Sequence, residues 1–72
     1  MPNQHVVPHE KGWAVRGEGE SRAEIVTDTK QEAIEAGRKL AQNQRTELVI
    51  HGKDGRIQRK DSHGHDPFPP RG

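Results

Sequence analysis

The chain has 72 residues, 26% hydrophobic and 32% charged, with a net charge of +1, no cysteine, and one tryptophan and one phenylalanine as its aromatic residues. A chain this short forms one small domain with a thin core, because it buries only about 60% of the surface its unfolded form exposes. The composition excludes a disulfide framework and a thiolate metal site, and no apolar run is long enough to span a bilayer. The opening Met1-Pro2-Asn3-Gln4-His5 has no basic segment followed by an apolar stretch, so a soluble, cytoplasmic protein without a membrane association is expected.

The first predicted strand is His5-Val6-Val7-Pro8, two β-branched residues beside a proline that suits a strand end or an edge. His9-Glu10-Lys11-Gly12 reads as a turn, and Trp13-Ala14-Val15-Arg16 then alternates, with Trp13 and Val15 on one face. After the acidic connection Gly17-Glu18-Gly19-Glu20-Ser21, the stretch Arg22-Ala23-Glu24-Ile25-Val26 is expected as a third strand of a meander.

Thr29-Lys30-Gln31-Glu32 matches a capping box, in which the threonine hydroxyl accepts from the Glu32 amide and the Glu32 carboxylate reaches back to the Thr29 amide. From there Ala33, Ile34, Gly37, Leu40, Ala41 and Gln44 share one face at the 3.6-residue period. The stripe is narrow and made of small residues, so the helix backbone is expected to lie close to a sheet. Helix termination falls at Asn43-Gln44-Arg45.

Thr46 to His51 reads as an interior strand, with Leu48-Val49-Ile50 apolar on both faces. Asp54-Gly55 predicts a two-residue type I′ loop, pairing His51 with Gln58 and Ile50 with Arg59. That register places Ile57 on the face of Leu48 and Ile50.

A meander followed by a right-handed helical crossover lets the fourth strand run parallel to the first. The expected fold is therefore α+β: a small, antiparallel-rich β-β-β-α-β-β sheet in the order 3-2-1-4-5, with one helix packed on one face. Residues 1–60 form the domain, and residues 61–72, with three prolines among the last six, are expected as an extended tail on which Phe68 could dock back.

The set His5-Val6-Val7-Pro8, Gly12-Trp13-Ala14-Val15, Thr29 through Ile34, Leu40-Ala41, Leu48 through Ile57 and Asp66-Pro67-Phe68-Pro69-Pro70 resembles a family of small bacterial proteins of unknown function. The similarity covers nearly the whole chain. It implies a fold and carries no activity, cofactor or binding residue with it.

Charge is distributed unevenly. Residues 1–36 carry four cationic and seven anionic side chains, whereas residues 37–72 carry eight cationic and four anionic ones. Lys53, Arg56, Arg59 and Lys60 make a basic hairpin which, with Arg16 on the second strand, could contact a nucleic-acid backbone. The same charges protect an edge strand from aggregation.

No constellation has the residue types and spacing that a known catalysis demands. Ser21 and Ser62 lie in a connection and at the start of the tail, and the glycine-rich Gly17-Glu18-Gly19-Glu20 is acidic where a phosphate loop must be positive. His63-Gly64-His65-Asp66 has ligand-like spacing, with His5, His9 and His51 elsewhere, yet it lacks the fourth ligand and rigid support of a structural zinc site. The expectation is a non-enzymatic interaction or structural module, without cofactor or physiological metal. Its partner is an unknown protein or a second copy of the chain, and nucleic-acid binding through Arg16, Lys53, Arg56, Arg59 and Lys60 is the alternative.

Overall fold

A computed structural model of the chain describes residues 3–62. Its elements are β1 (Gln4–His9), β2 (Gly12–Gly17), β3 (Ile25–Thr27), α1 (Lys30–Gln44), β4 (Glu47–His51) and β5 (Ile57–Ser62), and the sheet order is β3-β2-β1-β4-β5. β1 pairs antiparallel with β2 and parallel with β4, so the α+β topology expected from the sequence is the one observed.

The helix begins where its capping box predicts. Thr29 accepts from the Glu32 amide at 3.2 Å, and the Thr29 amide donates to Glu32 Oε1 at 3.3 Å. Its far end closes on Arg45, a non-glycine residue in the left-handed region at φ 56°, whose amide donates back to the carbonyls of Ala41 and Gln42.

The buried helix stripe packs on Val6 of β1, Trp13 and Val15 of β2, and Leu48 and Ile50 of β4. Ala33, Ala41, Val6, Val15 and Leu48 are fully buried. At roughly 1.5–3 kcal/mol for each large side chain, this one cluster provides most of the apolar stabilisation of the domain. Gly37 sets the helix–sheet distance: a Cβ there would stand 2.8 Å from Leu48 Cδ1 and 3.4 Å from both Val15 Cγ2 and Val6 Cγ2. Gln4 is buried in line with this cluster and donates from Nε2 to Gln44 Oε1 at 2.8 Å.

Three details differ from the sequence expectation. β3 is confined to Ile25–Thr27, because after Gly17 the chain turns, with Glu20 N donating to Gly17 O, and offers β3 no partner beyond Trp13–Val15.

The hairpin loop is Lys53-Asp54-Gly55, with Gly52 N donating to Arg56 O and Gly55 N donating to Gly52 O. Only Gly55 has positive φ, at 85°, so this is a type I turn followed by a left-handed glycine and not a type I′ turn. His51 therefore pairs with Ile57, and a bulge at Ile50/His51 returns Ile50 to Arg59. Ile57 is accordingly carried away from the face of Leu48 and Ile50.

Finally, β5 continues through Asp61 and Ser62, two residues past the expected end of the domain, and Asp61 is tied to the helix by Arg38 at 3.1 Å. The rest of the expected tail, residues 63–72 with Phe68, lies outside the described residues.

Candidate functional site

The helix covers one face of the sheet; the other presents the alternate side chains of every strand. Pairing links Val26 to Ala14, Ala14 to Val7, and His51 to Ile57, while Val7 and His51 each follow the parallel pair Val6–Ile50 by one residue. Val26, Ala14, Val7, His51 and Ile57 thus form one row crossing all five strands, about 19 Å at the usual strand spacing. Ala14 and Val49 on this face are nearly fully buried, yet neither belongs to the helix-side cluster. At the two edges of the row, Val26 and Ile57 are 46% and 57% exposed.

A polar chain crosses the same face. Glu18 N donates to Asn3 O at 2.8 Å, which extends the β1–β2 ladder and holds Glu18 beside His5. Glu18 Oε1 lies 3.1 Å from His5 Nε2, His5 Nδ1 lies 2.8 Å from His51 Nε2, and His51 Nδ1 lies 2.9 Å from the Gly55 carbonyl. The two rings sit 5.1 Å apart with 30° between their planes. The sequence places His51 on a strand, but it does not show His5 and Glu18 as its neighbours. Their juxtaposition needs the β1–β4 register, which strand order alone does not supply.

The five basic residues do not converge. Arg16 stands opposite His5 and Lys60 opposite Val49, so these two share the uncovered face at opposite ends of a row, about 14 Å apart at the usual strand spacing. Arg59 pairs with Ile50 and so belongs to the helix side. Lys53 occupies the turn, and Arg56 follows it with Nε 3.8 Å from Asp54 Oδ2.

Of the histidines in the ligand-like cluster, His63 and His65, with Asp66, lie outside the described residues. Among the described residues, no group of three or more His, Asp or Glu side chains is placed to hold a metal ion. Among them too, no helix is long and apolar enough to cross a membrane.

Taken together, the five-stranded sheet and the single helix covering one face define a small α+β domain. Residues 4–63 match the model of the DUF2188 family, described as an uncharacterized protein conserved in bacteria, and the chain belongs to that family. It is also 47% identical over 57 residues to the uncharacterized protein YdaT of Bacillus subtilis (strain 168); the match covers 79% of this chain and 38% of that protein. The match therefore spans well under half the length of this curated relative. No solved structure matches it.

Proposed function

We propose that the domain is a non-catalytic interaction module of the bacterial cytoplasm, which joins a second copy of itself through the uncovered face of the sheet. The observation that carries this reading is the continuous row Val26–Ala14–Val7–His51–Ile57, with a half-exposed large apolar residue at each edge. A core of so few large side chains gains from a second layer, and a two-fold pairing of identical faces supplies one without further sequence.

Sedimentation equilibrium from low micromolar to millimolar protein tests it. A reversible dimer that becomes monomeric when Val26→Asp and Ile57→Asp are combined, with the helical and sheet signal intact, is expected. A fully stable wild-type monomer at high micromolar concentration would remove the reading.

A second reading draws on the exposed Lys53, Arg56 and Lys60, of which Arg56 makes the loose 3.8 Å contact with Asp54. In it, the basic hairpin touches the phosphates of a nucleic acid, and affinity falls steeply with salt and with Lys53→Ala plus Arg56→Ala. Absence of binding to duplex and single-stranded DNA and RNA at low salt dismisses it.

A further inference from the structure

β3 and β5 are the two edges of the five-stranded sheet, so each leaves a row of backbone N–H and C=O groups without a strand beside it among the described residues. Among those residues, the two exposed large apolar side chains sit on these edges and on the same face: Val26 on β3 is 46% exposed and Ile57 on β5 is 57% exposed. The edges also differ in sign. Residues 17–28, which run into and just past β3, hold four carboxylates and one arginine, whereas residues 53–60, which run into β5, hold four cations and one carboxylate.

Strand direction allows the two edges to meet. β2 runs antiparallel to both β1 and β3, and β4 runs parallel to β1 and antiparallel to β5. β3 and β5 therefore run in opposite directions, and a second copy set beside the first in the same orientation offers its β3 to β5 as an antiparallel neighbour. Placing Val26 of one copy opposite Ile57 of the other fixes the remaining register. The bulge that lets Ile50 face Arg59 after His51 faces Ile57 carries Ile25 past the extra residue Gln58 in the same way. Glu24 then stands level with Lys60 and next to Arg59, and Asp28 comes beside Arg56 at the other end.

We infer that the β3 and β5 edges form a head-to-tail interface through which copies of this chain join into one continuous sheet. The contact is apolar at its centre, Val26 against Ile57, and carries opposite charges on either side, Asp28 against Arg56 and Glu24 against Lys60 and Arg59. Like edges repel: β5 against β5 sets cation on cation, and β3 against β3 brings the Glu24 and Asp28 carboxylates of two copies together. The cations that keep β5 from pairing with its own kind thus select the opposite edge. Successive copies stand about 24 Å apart at the usual strand spacing, and a helix is about 10–12 Å across, so the helices of neighbouring copies do not collide. A contact between unlike surfaces is open-ended and builds a chain of copies, not a closed pair. It does not depend on face-to-face pairing, which uses the middle of the uncovered face.

Sedimentation velocity and amide chemical shifts of the full chain, at low salt and at about 0.5 M salt, test the inference. The wild type is expected to grow past a dimer as its concentration rises at low salt, and to lose this growth at high salt. Val26→Asp keeps an intact β5 edge and Ile57→Asp an intact β3 edge. Neither lengthens alone, but the two mixed in equal amounts form a 1:1 pair. In that pair, ¹⁵N-labelled Val26→Asp shifts at residues 56–61 and ¹⁵N-labelled Ile57→Asp at residues 24–28. Glu24→Lys and Lys60→Glu repeat the test by charge alone, and stand in if either Asp variant fails to fold: each associates about tenfold more weakly than the wild type, and their mixture recovers the association.

A salt-insensitive dimer, with no pairing in either mixture and shifts centred on Val7, Ala14 and Val49, would overturn the edge contact and leave the face-to-face pair standing. A wild type that stays monomeric at every concentration and salt would overturn it as well. Shifts limited to the two edges would support it and remove the face-to-face pair instead.

Discussion

His51 stands opposite Ile57, not Gln58, and this one-residue displacement carries Ile57 from the helix side of the sheet to the uncovered side. Two irregularities produce it: a three-residue loop takes one step out of register, and the bulge at Ile50/His51 restores it. Leu48 and Ile50 keep their core positions, while Ile57 becomes an exposed edge of the second face. Ile50→Ala is expected to cost about 2–5 kcal/mol, the range for emptying a packed site, whereas Ile57→Ala costs less than about 1 kcal/mol in dilute monomer. Urea denaturation of the two variants at low concentration checks the difference; equal losses would restore Ile57 to the core.

The same turn separates Asp54 from Gly55. Only Gly55 has positive φ, so Gly55→Ala should destabilise by about 1 kcal/mol through backbone strain. Asp54→Ala loses the contact from Arg56 N to Asp54 Oδ1 at 3.0 Å and the loose, exposed one from Arg56 Nε at 3.8 Å, and should cost less. A type I′ turn would make the two positions alike, and thermal melts of both variants distinguish the cases.

Gly37→Ala places two effects in opposition. Helix propensity favours alanine by about 1 kcal/mol, but the new methyl meets Cδ1 of the fully buried Leu48 at 2.8 Å and Val15 Cγ2 and Val6 Cγ2 at 3.4 Å. Overpacking costs about 1–3 kcal/mol, so the net effect is a loss of about 1 kcal/mol. In a Leu48→Ala background the obstruction is gone, and the same substitution should become neutral or favourable. A double-mutant cycle by chemical denaturation reads the coupling; purely additive changes would show that Gly37 does not set the helix–sheet distance.

Thr29→Ala removes the hydroxyl that accepts from Glu32 N and should cost about 1 kcal/mol, while Thr29→Ser retains most of the cap. Circular dichroism during unfolding measures both. Equal loss in the two variants would mean that the methyl, and not the hydroxyl, matters at this position.

Much of the fold could be read from local chemistry because each signal was redundant. The capping box, the small-residue stripe and the Leu48-Val49-Ile50 run all pointed to one helix crossing over a sheet, and a right-handed crossover allowed the fourth strand to pair parallel beside the first. The hairpin was misread at its tip because Asp-Gly suits both a two-residue loop and the last two positions of a three-residue loop. The identity of the pair does not choose between them; the compensating bulge does. The Glu18–His5–His51 chain was invisible for a different reason. Its members lie 13 and 46 residues apart, and only the parallel register of β1 and β4, together with the ladder extension at Glu18, brings them together.

The interaction surface itself is located most directly by amide chemical shifts recorded as protein concentration is raised from low micromolar to millimolar. Self-association through the uncovered face predicts saturable changes concentrated at Val7, Ala14, Val26, Val49, His51 and Ile57, with the helix residues Glu35, Arg38 and Lys39 unmoved. Shifts confined to the helix, or no concentration dependence in a fully folded chain, would contradict it.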